Sequence, residues 1–209
     1  MDDHDLLTLL AEQAEQANAL LSNAMKYERE RWVCQRLLHA LNVSQRLEDF
    51  QPSSQEPPDV LVAGANFEVF FVLDEGRRLN EEWRQELDRR RSAFSVQQLV
   101  PRELRRIRLK PAQLLRRLEP TATKKALSYR ERGIAPEHLD LLAFTSLKHA
   151  DLDANADFPP PTTLMAQGWR SVSVVGPRFA RVLFAGDQAP AFLRHNRGRT
   201  ILMDVGLSL

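Results

Sequence analysis

The stretch 57–78, PPDVLVAGANFEVFFVLDEGRR, constrains this chain more than any other. Val60 to Ala63 and Phe67 to Leu73 are runs of aliphatic, β-branched and aromatic residues separated by Gly64-Ala65-Asn66, the pattern of a β-hairpin with a short turn. The second run is almost wholly apolar, which predicts a central strand buried on both faces. Glu68 interrupts it. A carboxylate early in a buried strand is costly unless it is paired, neutralised or bound to a metal. Asp59 opens the partner strand nine positions earlier, and a hairpin can bring the two carboxylates together at one end of a sheet.

The remaining bounds come from length, charge and cysteine use. A chain of 209 residues supports one sizeable core, or a core with a helical appendage. The expectation is a single unit over 1–209, with a helical part over 1–42 and an α/β core over 43–209. No run of about 18 apolar residues occurs, so no membrane span is predicted. MDDHDLL at the start has neither a basic stretch nor a continuous apolar core and does not read as a secretory signal. Cys34 is the single cysteine; it cannot form an intramolecular disulfide, which fits a reducing, cytoplasmic setting, and it is expected to be packed rather than reactive. Oligomeric state is not legible. The net charge of +1 is unevenly spread: −9 over residues 1–75, +10 over 76–134 and zero over 135–209. Such asymmetry marks either a nucleic-acid surface beside an acidic site or helices with solvated charged faces.

Around the hairpin, the pattern predicts amphipathic helices over 3–22 and 24–42, a short strand at 47–50, and a helix over 80–94 after Asp74-Glu75-Gly76. Glu28 or Glu30 on the second helix can add an acid to the hairpin pair, or can form an ordinary helical ion pair with a neighbouring arginine. Arg77 and Arg78 precede a helix start, where backbone N–H groups also point outward, and the combination suits a phosphate; pairing with Asp74, Glu75 or Glu81 is the alternative. Residues 101–107 read as an arginine-rich helical turn. Pro111 starts a helix that Pro120 is expected to break, with a second one running from Thr121 or Thr123 to Arg132. The basic side chains gathered here include Arg105, Arg106, Lys124 and Lys125. On one face they would bind phosphates without reading bases. Strands are expected at 139–147, 169–175 and 179–185, with a last hairpin formed by 190–194 and 200–205. No P-loop, dinucleotide fingerprint, CxxC, GxSxG or HxxxH occurs.

Pro58-Asp59, followed after a short turn by Glu68-Val69-Phe70, resembles the PD-(D/E)xK signature of the restriction-endonuclease-like superfamily. The wider run, with its Gly76-Arg77-Arg78 tail and following helix, is similar to a small bacterial family of uncharacterised candidate endonucleases. The resemblance implies an α/β fold with a restriction-endonuclease-like mixed central sheet flanked by helices and preceded by N-terminal helices. It also implies a divalent cation, usually magnesium, held by Asp59 and Glu68, with Glu28 as a further acid supplied by the helix before the hairpin. Phe70 stands where the superfamily has its lysine. Water activation would then fall to another group, Lys26 or Lys148, or to the metal alone.

Three readings follow from these residues. One is a metal-dependent endonuclease on DNA or RNA. Another is a nuclease-like scaffold with a degenerate site that binds nucleic acid or protein without cleavage, which Phe70 favours because an aromatic fills by packing the space that chemistry needs. In the last, Asp59 caps a turn, Glu68 pairs with an arginine, and the function lies on another surface.

Overall fold

In chain order the elements are α1 (Asp3–Leu20), α2 (Lys26–Ala40), β1 (Gln51–Pro52), β2 (Val60–Val62), β3 (Ala65–Leu73), α3 (Leu79–Arg91), β4 (Ile107–Leu109), α4 (Pro111–Glu131), β5 (Asp140–Ser146), β6 (Ala150–Leu152), α5 (Thr162–Ala166), β7 (Ser171–Val175), β8 (Phe179–Ala185), α6 (Ala191–His195) and β9 (Thr200–Leu202). They come from a computed structural model, which describes residues 2–100, 107–147, 150–153 and 156–203. The hairpin forms where the sequence places it, but its turn is Ala63-Gly64, both at positive φ (51° and 77°). Two such residues match the right-handed twist of the flanking strands. β3 therefore starts at Ala65, two residues earlier than the apolar run suggests.

Seven strands make one mixed sheet in the order β1-β2-β3-β5-β7-β8-β9. β3, β5 and β7 run parallel, and the flanking pairs are antiparallel. The α/β fold, with N-terminal helices and a mixed sheet among helices, is the one the sequence implies. Alternation along β3 divides the core. Phe67 and Val69 face α2, where Val33, Leu37 and Leu38 pack on them with Leu142 and Phe144 of β5. Phe70 and Val72 face α4, against Leu114, Leu118, Ala122 and the β5 residues Leu141 and Ala143. β3 and β5 are thus covered on both faces, as parallel neighbours require. α1 packs on α3. No helix of the described residues is long and apolar enough to cross a membrane.

The structure departs from the sequence reading at five places. Pro120 does not end a helix: α4 runs unbroken for 21 residues. Its apolar stripe, from Leu114 through Leu118, Ala122 and Ala126 to Tyr129, continues in phase across the proline. Burial of that stripe on the sheet outweighs the roughly 3 kcal/mol that an interior proline costs. Thr123 caps nothing; its hydroxyl donates to the Glu119 carbonyl inside the helix at 2.8 Å. Residues 191–195 are helical because Pro190 suits a helix start and buried Leu193 anchors the turn, so β9 pairs with β8 instead. Residues 47–49 form a 3-10 turn before β1. Ile107–Leu109 is strand β4, in a small parallel pair with β6; the arginine-rich turn expected at 101–107 otherwise lies outside the described residues.

Candidate functional site

β2 pairs with β3 only from Ala65 to Phe67, so beyond Phe67 the edge of β3 has no strand beside it on that side among the described residues. Asp59, one residue before β2, occupies the start of this gap. Its N–H donates to the Phe67 carbonyl at 2.9 Å, and its Oδ2 accepts the Val69 N–H at 2.8 Å. The two bonds reach the residues on either side of Glu68. They replace ladder bonds that an edge strand would otherwise lack, and they fix the Asp59 carboxylate beside Glu68. Neither acid is exposed by more than 9%.

Two helices then bring amines to the acids. Lys26, the first residue of α2, donates from Nζ to Asp59 Oδ1 at 3.0 Å and to Glu56 Oε1 at 2.6 Å. One turn on, Glu30 is buried with its Oε1 3.7 Å from the same ammonium. From the other face of the sheet, α4 presents Lys125 and Tyr129, also one turn apart. Glu68 Oε1 accepts from the Tyr129 hydroxyl at 2.5 Å and from the Lys125 ammonium.

Three carboxylates, Glu30, Asp59 and Glu68, therefore share a poorly hydrated space with two ammonium groups. Burial pushes the Glu30 carboxyl up to about 8, and the Asp59 and Glu68 charges add to that against the pull of Lys26 and Arg29. Burial likewise raises Glu68, with Asp59 adding to the effect and the Lys125 and Tyr129 contacts opposing it. Burial acts to lower the Lys26 ammonium, but its bonds to Glu56 and Asp59 and the nearby Glu30 charge outweigh that and hold it above the ordinary lysine value. Burial and then the bond to Glu68 raise the Tyr129 hydroxyl. The Glu30, Glu68 and Tyr129 shifts follow from desolvation and like charge and the Lys26 shift from its acidic partners, and such concentrations of perturbed groups are found at functional sites.

The structure brings together Asp59 and Glu68, as the hairpin predicts. Of the two acids considered on α2, Glu30 rather than Glu28 lies beside them; Glu28 is two residues round the helix, and its Oε2 is buried without a hydrogen bond. Phe70 is 6% exposed and belongs to the apolar cluster under α4. Lys26 does reach the acids; Lys148, the other lysine considered, lies outside the described residues. Arg77 turns inward, pairing with Glu82 at 2.7 Å and donating to the Ser146 carbonyl. Arg78 is exposed and pairs with Glu81. Lys124 is exposed on α4, whereas Lys125 is turned onto Glu68. Arg105 and Arg106 lie outside the described residues.

Sequence reasoning missed Lys125 and Tyr129 as partners of Glu68. The expected helix after Pro120 already held both, one turn apart, but nothing in the sequence aims that turn at a carboxylate 57 residues away. It also missed Asp140 at the start of β5. This carboxylate is wholly buried and accepts from the Asn66 N–H at 2.9 Å, the Ser171 hydroxyl at 2.7 Å and the Arg170 guanidinium. It ties the β2–β3 turn to the sheet from below the site.

The donor set suits magnesium in kind, since that ion takes hard oxygen ligands and keeps several waters. Asp59 and Glu68 are the carboxylates that fit. Among the described residues no three acidic, histidine or cysteine side chains are grouped closely enough to hold a metal ion. A cation at the pair would draw the rest of its shell from backbone and water, and the ammonium groups on Asp59 Oδ1 and Glu68 Oε1 would have to shift.

The chain is similar to a solved structure of a protein of unknown function from Pseudomonas aeruginosa strain PAO1, which is described under a monooxygenase superfamily. The two share 53% identity, with 99% of this chain and 98% of that one covered at a TM-score of 0.72. No curated protein matches. A family model described as "Putative endonuclease, protein of unknown function (DUF1780)" matches residues 2–209, nearly the whole length, and the chain belongs to that family.

Proposed function

We propose that this protein is a metal-dependent phosphodiesterase acting on nucleic acid, in which lysines from two helices take the place of the lysine that Phe70 displaces from the strand. The observation that carries the reading is the Lys26 ammonium 3.0 Å from Asp59 Oδ1, with the Lys125 ammonium on Glu68 in the same cluster. Asp59 and Glu68 would hold magnesium, which would supply charge neutralisation at the scissile phosphate and a more acidic water. Lys26, held above its ordinary value, stays an ammonium at neutral pH. Its role is therefore to stabilise negative charge on the phosphate and to orient the water, not to abstract a proton. With a side chain 43% exposed, it is the amine that reaches the open side of the site. Lys125 and Tyr129 hold Glu68 in place and offset its charge against Asp59.

The monooxygenase description of the Pseudomonas relative names a redox chemistry; the acid–lysine cluster is the reason for reading phosphodiester hydrolysis instead. A second reading, nucleic-acid binding without cleavage, is favoured by the packing of Phe70 and by amines that already satisfy both acids. Calorimetric titration with magnesium and manganese, beside cleavage assays on single- and double-stranded DNA and RNA, separates the two. The hydrolytic reading expects metal binding and cleavage that Asp59→Ala abolishes while the fold survives. Metal binding and cleavage both absent in the native protein would overturn it.

A further inference from the structure

From Glu68 onward the edge of β3 facing away from β5 carries no partner strand among the described residues. Asp59 covers only Val69. Past it, between the start of α2 and the start of α3, lies an open groove of ≈ 500 Å³ with Phe71 and Leu73 among its lining residues. Its rim is cationic. Arg29 stands on α2, one turn after Lys26, with its guanidinium 5.7 Å from the Phe71 ring centroid and one nitrogen anchored on the Leu20 and Ser22 carbonyls at 3.0 and 3.2 Å. Arg78 and Arg84 come from the α3 side. Arg78 is engaged only by the exposed Glu81, a pairing worth little in water. Arg84 is exposed and makes no ion pair with a described residue. Among the described residues Glu81 is the one acid lining the groove, so three guanidinium groups leave it cationic.

The groove neighbours the Lys26–Asp59 end of the acid cluster through α2, which carries both Lys26 and Arg29. Arg29 and Lys26 are about 4.5 Å apart along the α2 axis. Phe71 lies about 10 Å from Glu68 along β3 and turns to the α2 face, on which Lys26 reaches Asp59, whereas Glu68 turns to the α4 face. Arginine forks match phosphate oxygens, and an apolar floor beneath them suits the sugar and base faces. We infer that the groove lined by Arg29, Arg78 and Arg84 binds the phosphodiester backbone of the substrate strand beside the bond held at Asp59 and Glu68. The inference rests on the nucleic-acid reading above but not on cleavage. It assigns the phosphate contact sought near residues 77 and 78 to Arg78 with Arg29 and Arg84, and not to Arg77, which is occupied by Glu82 and Ser146.

The test is equilibrium binding of labelled single-stranded DNA, single-stranded RNA and duplex DNA, followed by fluorescence anisotropy in EDTA so that cleavage does not enter. Arg78→Ala/Arg84→Ala removes two exposed side chains, and its folding is checked by thermal unfolding. Arg46→Ala/Arg199→Ala, two exposed arginines outside the groove, is the charge-matched control. The double groove variant should bind on the order of tenfold or more weakly near 0.1 M salt. Its log–log salt slope should fall by about 1.4 on single strands or about 1.8 on a duplex, and the form that the native protein binds more tightly at equal salt is the preferred one. The control should keep native affinity. Unchanged affinity and slope in the groove variant, or no binding by the native protein at low salt, would overturn the inference. A native protein that binds and does not cleave with magnesium or manganese overturns the hydrolytic reading alone.

Discussion

Lys26 and Asp59, 33 residues apart in the chain, meet at 3.0 Å where β2 leaves the edge of β3. The pair joins the first turn of α2 to the acid that bonds the backbone on both sides of Glu68. It puts an amine at the edge of a strand that carries Phe70 where the signature it resembles has a lysine.

Lys26→Met should lower cleavage on the order of 10²- to 10³-fold, the range for removing one group that stabilises charge in the transition state. Metal affinity should hold or rise, because the carboxylate loses a competing cation. Single-turnover cleavage beside metal titration reads both. Unchanged cleavage would move the role to Lys125, where the parallel Lys125→Met variant tests it.

Phe70→Lys should not raise activity. The ring is packed with Leu114, Leu118 and Leu141 between β3 and α4, so an ammonium there is buried without a partner. Loss of several kcal/mol in urea unfolding, with cleavage no higher than native, is the expected result. Phe70→Ala should cost about 3–5 kcal/mol through the cavity it leaves.

Asp140→Ala should destabilise by about 3–5 kcal/mol, since it strands the Arg170 guanidinium and the Asn66 N–H at a buried corner. Chemical denaturation measures this. Asp140→Asn should recover part of the loss by keeping the neutral hydrogen bonds.

Glu30 sets a pH dependence. Its carboxyl titrates near 8 in the folded protein against an ordinary value of 4.5. The folded state therefore binds the proton more tightly than the unfolded one. Between about pH 4.5 and 8 this group's contribution falls as pH rises, by up to about 1.4 kcal/mol per unit, and the cost is fully present above 8. Glu30→Gln should flatten that part of the stability profile and raise the thermal midpoint at alkaline pH. A profile of the same slope in Glu30→Gln and native protein would contradict the assignment.

How much of this was legible without coordinates differs from element to element. The hairpin and the central strands were readable because alternation and continuous apolar runs are local, one-dimensional signals of burial. Asp59 and Glu68 were readable as a pair because a short turn leaves a hairpin little freedom of register. Pro120 misled because its cost is local, whereas the burial of the α4 stripe that outweighs it exists only once the sheet is assembled. The 191–195 segment misled in the same way, since the burial of Leu193 that anchors its helical turn exists only once the core is assembled. The amines could not be found by spacing: Lys26 and Lys125 stand 33 and 57 residues from the acids they contact. They arrive on helices packed against opposite faces of the sheet. The sequence by itself determined a mixed α/β architecture with two acids at a hairpin. Only the tertiary structure decided which of its many basic side chains meet them, because packing and not chain proximity selects the turn of each helix that faces the gap beside β3.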